Sequence, residues 1–226
     1  MPRTARIAIV DVPHHITQRG NNRQDVFFVD DDRRVYLSLL KEHSEKYGLE
    51  ILGWCLMTNH IHLIARPSAP DSLAKSLGRT HLRYTQYVNR LHGRSGHLWQ
   101  NRFFSCPLGR EHFWQALRYT EQNPLRAGIV RQAWKYPWSS AEAHVGGQDT
   151  ANVLNLPYWR QISAKVDWRQ ALEEEQAKET IEQIRIHTHT GRPLAGDSFI
   201  SKLEKVLNKR LRPLPIGRPK KNEKES

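Results

Sequence analysis

Apolar positions along this chain recur with a period that switches between two and about 3.6, and each switch marks an element. Residues 5–18 alternate and predict a first strand, with Pro13 at a bulge or edge. Residues 19–23, RGNNR, form a loop. Residues 27–29 are short and apolar, and Asp30, Asp31 and Asp32 then predict a helix N-terminus, where carboxylates meet free amides. That helix runs to about Tyr47, with Val35, Leu39, Leu40 and Tyr47 inward and Gly48 as its stop. Residues 49–57 and 60–66 predict a hairpin turning at Thr58-Asn59 and closed by Pro67 and Pro70. Asp71 or Ser72 caps a helix to about Leu91 that turns Leu73, Leu77, Tyr84, Val88 and Leu91 to one side. After a turn, residues 98–108 predict a last strand ended by Gly109, and residues 111–123 a further helix bounded by Pro124.

Strand, helix, strand, strand, helix, strand is the order of the ferredoxin-like split βαβ arrangement. The expected fold class is therefore α+β, an antiparallel sheet with helices on one face. The extra helix 111–123 would lie across the other face, on a hinge at Gly109.

The second half of the hairpin carries the first candidate chemistry. His60 and His62 are two apart on a strand, so they share one face, and Ile61, Leu63 and Ala65 take the other. Two imidazoles side by side are half of a metal site, or else structural histidines. On the following helix, Tyr119 and Asn123 are four apart and stack on one side. A phenol and an amide carbonyl suit a nucleophile and a third ligand; a core aromatic and a helix C-cap are the plainer readings. The set His60, His62 and Asn123 fits Mg²⁺ or Mn²⁺ better than a structural zinc site, which wants four closed ligands including sulfur. A second H-x-H, His187-Thr188-His189, stands in a polar stretch with no apolar strand beneath it.

Charge points to the partner. The net charge is +12 in 226 residues, with a pI near 10.0. From Ser72 to Arg110 there is no acidic residue, while Lys75, Arg79, Arg83 and Arg90 share one side of the predicted helix. A face of one sign only is suited to a polyanion, because phosphate contacts release counterions. Arg19, Arg23 and Arg102 extend the candidate nucleic-acid surface. Cys55 and Cys106 each sit among apolar residues and read as reduced core thiols. No stretch has the length of a membrane span and the N-terminus has no signal pattern, so a cytoplasmic protein without membrane contact is expected.

Beyond about residue 145 the pattern changes. A linker follows Gly146, then a charged helix over 168–186, a turn, and an amphipathic helix over 199–207. Residues 209–226 read as a basic disordered tail. Its Gly217-Arg218-Pro219 resembles the core of a minor-groove hook, which adds Arg218 to the candidate DNA contacts; an inert solubilising tail is the competing reading.

Taken in order, N-H-I-H-L, then R-Y-T-E-Q-N-P-L-R-A-G-I-V, then Y-P-W-S-S resemble the HUH single-strand transposases, in particular the REP-associated tyrosine transposases. HHITQRGNNR and GHLWQNRFFSCPL are similar to the same family, and the resemblance spans about residues 6–140. It implies His60 and His62 as metal ligands, Tyr119 as nucleophile and Asn123 at a third-ligand position often held by Gln. It also implies cutting and rejoining of single-stranded DNA beside palindromic hairpins through a 5′-phosphotyrosine, with monomer and homodimer both open. A DNA-binding regulator on an inactive scaffold, or a phosphodiesterase that uses water, are the competing expectations.

Overall fold

The computed structural model describes residues 7–212. Strands β1 (His14–Arg19), β2 (Leu49–Met57), β3 (His60–Pro67) and β4 (Phe104–Pro107) form one antiparallel sheet in the order β2-β3-β1-β4. Helices α1 (Asp30–Tyr47) and α2 (Ser72–Leu91) cover one face. This is the expected split βαβ order, an α+β fold. Ile16, Ile61, Leu63 and Ala65 point into that helical layer together with Tyr36, Leu40, Leu73, Leu77 and Tyr84. The three first-turn aspartates of α1 do unequal work: buried Asp32 accepts from the backbone amides of Phe28 and Val29, at 2.7 and 3.0 Å. Gly48 ends the helix at a φ of 65°, where a side chain would be strained.

On the opposite face lies α3 (Arg110–Glu121). Strand β2 is irregular between Ile51 and Gly53, and a Cβ at Gly53 would come within 2.2 Å of the Leu117 side chain. The glycine is therefore what lets α3 lie directly on the sheet. The helices that follow are α4 (Asn123–Arg126), α5 (Ala141–His144), α6 (Leu156–Ser163), α7 (Trp168–Glu173), α8 (Lys178–Thr190) and α9 (Asp197–Leu207). Trp159, Trp168, Leu172, Ile184 and Leu194 share a second core with Leu117, Cys106 and Ile64. Both sheet edges are covered: residues 138–140 bond along β2, and Leu194 bonds beside β4. Among the described residues no helix is long and apolar enough to cross a membrane.

Several boundaries differ from the sequence reading. Strand β1 begins only at His14, because Pro13 closes an irregular lead-in in which Asp11 has a φ of 60°. Strand β4 is four residues long rather than eleven; Leu98, Trp99 and Phe103 turn into the α1/α2 core, and Asn101 takes a φ of 58°. The expected helix 168–186 is two helices. The amide of Gln122, the residue after α3, donates to the carbonyls of Leu172 and Glu174, at 3.0 and 2.8 Å, and so ends α7 early. Leu91 is 56% exposed rather than inward, since α2 ends there. Both cysteines are free and buried, as expected. The tail from residue 213, with Arg218 and its hook, lies outside the described residues.

Candidate active site

Strand parity places His60 and His62 on the face that α3 covers. Their rings lie 5.1 Å apart, and Tyr119 packs its ring edge-on to His62 at 5.5 Å. The sheet and α3 thus bring together three of the residues singled out in the sequence. Burial pushes His62 well below the usual histidine range, with the neighbouring His60, His15 and arginines adding to it. His60 is lowered to about 4 by burial and then by Arg19. Both rings are neutral at physiological pH, the form that binds metal.

His60 has its tautomer set by Asn59. The Asn59 Nδ2 donates to the Arg23 carbonyl at 3.0 Å, which leaves Oδ1 to accept from His60 Nδ1 at 2.6 Å. The proton is then on Nδ1 and the lone pair on Nε2. This is the outer-sphere bond that metal-ligating histidines commonly make.

Asn123 does not join the histidines through its amide nitrogen. It stands at the start of α4 and donates from Nδ2 to the carbonyls of Tyr119 and Thr120, at 3.1 and 3.2 Å. These two bonds cap the end of α3 and use only Nδ2; the ligand role expected for Asn123 belongs to Oδ1, which they do not engage. Among the described residues no group of three His, Cys, Asp or Glu side chains is placed to hold a metal. Two imidazoles, His60 and His62, lie side by side in the site.

Four residues that sequence reasoning passed over complete the site. Arg126 lays its guanidinium 4.2 Å from the Tyr119 ring and also donates to the Tyr119 carbonyl. Its Nη1 is buried and has no hydrogen-bond partner. Burial lowers Arg126 to about 10, so it remains a cation at neutral pH. Arg185 of α8 donates to the Tyr119 hydroxyl at 3.5 Å. His15 stacks on His62 at 5.3 Å and bonds it, Nε2 to Nδ1, at 3.0 Å. Thr188 holds the other nitrogen of His15 at 2.6 Å. Arg126 was already within the quoted NPLR string; Arg185, His15 and Thr188 come together only through the packing of α8 on β1 and β4.

Helix α3 is held by contacts at both ends in this structure. The Gly109 amide bonds the Leu194 carbonyl at 2.8 Å, and a Cβ there would meet Ala195 at 2.8 Å. At the other end Glu121 is fully buried. Its carboxylate accepts from the Ser140 hydroxyl, from His144 Nδ1 at 2.6 Å and from Trp168 Nε1 at 2.8 Å.

The candidate DNA contacts are divided. Arg19 and Arg23 are exposed at the end of β1 and in the loop after it, on the rim of the histidine site. Arg102 is exposed and lines a cavity of about 610 Å³ with Phe104 and residues 188–192. Lys75, Arg79, Arg83 and Arg90 are all exposed on α2, but α2 lies across the sheet from the histidines, and Lys75 is paired with Asp71 at 2.5 Å.

The buried histidines set an acid limit on the fold. His14, His15 and His60 are lowered by burial to about 4, about 3 and about 4, against 6.5 in an open chain. Between about pH 6.5 and 4 the unfolded chain therefore binds more protons than the folded one. The stability these groups contribute is complete above pH 6.5 and falls as pH drops through that window. Urea unfolding should show a clearly lower midpoint at pH 5 than at pH 7; equal midpoints would contradict neutral burial.

Comparison with known proteins agrees with the architecture. The family model described as Transposase IS200 like matches residues 8–123, just over half of the chain. A curated protein of Haemophilus influenzae, named provisionally as a REP-associated tyrosine transposase, is 26% identical over 116 residues, 46% of this chain and 66% of the relative. This chain thus spans just under two thirds of that relative's length. A solved structure of a REP-associated tyrosine transposase bound to a REP hairpin superposes with a TM-score of 0.56 at 19% identity, covering 64% of this chain and 86% of the other. At that identity the likeness concerns the fold. With the family match running from the first strand through the tyrosine-bearing helix, the chain belongs to the IS200-like transposase family.

Proposed function

We propose that this protein cuts and rejoins single-stranded DNA beside a palindromic hairpin, through a 5′-phosphotyrosine at Tyr119. The observation that carries the reading is the packing of Tyr119 between His62, the neighbour of His60, and the guanidinium of Arg126, whose Nη1 has no partner. A buried cationic donor without a partner is costly, and its position beside a phenol suits a phosphate oxygen. The relative solved with a REP hairpin supports the choice of hairpin DNA.

The Tyr119 oxygen attacks the scissile phosphorus in line. The P–O bond to the 3′ oxygen breaks, the phenolic proton leaves, and the 3′ oxygen is protonated. The downstream strand stays on Tyr119 and the upstream strand ends in a free 3′-hydroxyl. Rejoining reverses the step and needs no ATP, because one phosphoester replaces another. Arg126 is placed for the charge that builds on the phosphate, and Arg185 for charge on the phenolic oxygen when the tyrosine leaves.

His60 and His62 would hold a divalent ion, Mg²⁺ or Mn²⁺, whose contribution is Lewis-acid polarisation of a non-bridging phosphate oxygen. The donor chemistry fits: two neutral imidazoles close together, one with its lone pair already directed to Nε2. With no carboxylate in the set, water and phosphate would fill the remaining positions, and Mn²⁺ should bind more tightly than Mg²⁺.

The test is a 3′-labelled hairpin oligonucleotide incubated with protein and Mn²⁺, then run on a denaturing gel. Label should migrate with the protein. Label on a free shorter strand would favour hydrolysis by water, and intact bound DNA would favour the regulator. In the same assay Arg126→Gln should lower adduct yield roughly 100- to 1000-fold; wild-type yield would remove Arg126 from the site.

The α2 cations give a separate expectation. Replacing Arg79 and Arg83 with Ala should weaken hairpin binding and lower the slope of log K against log salt by roughly 1.4–1.8. Adduct formation at saturating DNA should be unchanged, because α2 is across the sheet from Tyr119. An unchanged salt slope would mean that this face does not meet DNA.

A further inference from the structure

Thr188 lies on α8, more than sixty residues beyond the tyrosine helix, and is 2% exposed. Its hydroxyl has one proton to donate and two lone pairs. The Ile184 carbonyl lies 2.7 Å away and His15 Nδ1 lies 2.6 Å away. A carbonyl oxygen can only accept, so a 2.7 Å contact is a bond only if the threonine proton points at Ile184. If that proton turned to His15 instead, two oxygens would face each other with no hydrogen between them.

The direction of every remaining bond follows. Thr188 Oγ1 accepts, so His15 Nδ1 carries a proton. A neutral imidazole has only one, so His15 Nε2 is bare. The 3.0 Å bond to His62 Nδ1 then requires the proton on His62 Nδ1. The His62 lone pair is left on Nε2. Cys106 lies 3.5 Å from the same threonine oxygen, and burial raises its thiol to about 12, so it can donate to the second lone pair.

We propose that Thr188, acting through His15, is a positioning residue that keeps the metal-facing nitrogen of His62 unprotonated. Two backbone carbonyls thereby set the two candidate ligands. Arg23 sets His60 through Asn59, and Ile184 sets His62 through Thr188 and His15. The first relay is local to the hairpin. The second reaches into α8, so the helical region beyond residue 146 completes the metal site rather than hanging beside it. Helix α8 also supplies Arg185 to the Tyr119 hydroxyl, so it touches both halves of the chemistry.

The inference rests on the metal reading above, and the test separates the two. Long-range ¹H–¹⁵N spectra of the metal-free full chain read the tautomers directly. Wild type should show His62 and His15 both protonated at Nδ1, and Thr188→Val should populate the Nε2-protonated form of His62. Calorimetry with Mn²⁺ should show the dissociation constant rising roughly 10- to 100-fold in Thr188→Val. Thr188→Ser, which restores the hydroxyl, should return it to within about threefold of wild type. The amide spectrum confirms that both variants are folded. Wild-type His62 protonated at Nε2, or equal Mn²⁺ affinity in wild type and Thr188→Val, would overturn the relay. Wild-type protein that binds no divalent ion would overturn the metal reading, and this inference with it.

Discussion

Tyr119→Phe protein is expected to bind a hairpin oligonucleotide about as tightly as wild type and to form no covalent adduct with it. The substitution removes one oxygen and leaves the ring in place. The ring is what packs against His15, His62 and the Arg126 guanidinium, at 5.6, 5.5 and 4.2 Å. The bond from Arg185 to the hydroxyl is long, at 3.5 Å, and partly exposed, so its loss should cost little stability. Two readouts check the result. Adduct on a denaturing gel should fall to background, and the dissociation constant for uncut hairpin DNA should change less than about threefold. Adduct at wild-type yield would take Tyr119 out of the nucleophile role and return it to the role of a core aromatic.

Glu121→Ala should give the largest loss of stability of any single substitution near the site. Glu121 is buried, and its carboxylate accepts from Ser140, His144 and Trp168 together. Removing it strands the buried donors of His144 and Trp168, leaves Ser140 only the Trp54 carbonyl at 3.2 Å, and opens a cavity beneath α3. Breaking a buried network of this kind costs roughly 3–5 kcal/mol. For a chain of this size that is about 6–20 °C in melting temperature. Because α3 carries Tyr119, adduct yield should also fall even well below the transition. A melting temperature within two degrees of wild type would mean that α3 is held mainly by Leu117 and the Gly53 contact instead.

The fold was legible where the pattern was strict. His60 to Leu63 alternate polar and apolar, and the structure divides His60 to Ala65 between the two faces, with Ile61, Leu63 and Ala65 in one core and Ile64 in the other. The sheet order follows from the order of elements alone. What could not be read were the places where tertiary contacts override local pattern. Trp99 and Phe103 look like strand residues, but the α1/α2 core takes them and leaves β4 short. Residues 174–177 look helical, but Gln122 takes the carbonyls of Leu172 and Glu174 at the end of α7.

The site divides in the same way. His60, His62 and Tyr119 were visible as a spacing, because one strand and one helix carry them. Asn123 was visible at the same helical spacing; its Nδ2 caps the carbonyls that α3 leaves open at its end, a use no spacing could show. The motif His187-Thr188-His189 looked inert because the sequence shows no apolar strand beneath it. The strand beneath it is β4, eighty residues earlier, with β1 beyond, and no local pattern could place α8 there.

The central claim is that one tyrosine forms a covalent bond to DNA beside the histidine pair. The most direct measurement is mass spectrometry of the protein after reaction with a hairpin oligonucleotide and Mn²⁺, followed by nuclease and protease digestion. A single modified peptide from α3 is expected, carrying a nucleotide through its 5′ phosphate on Tyr119. Cleaved DNA with no modified peptide, or a nucleotide carried by any other residue, would contradict it.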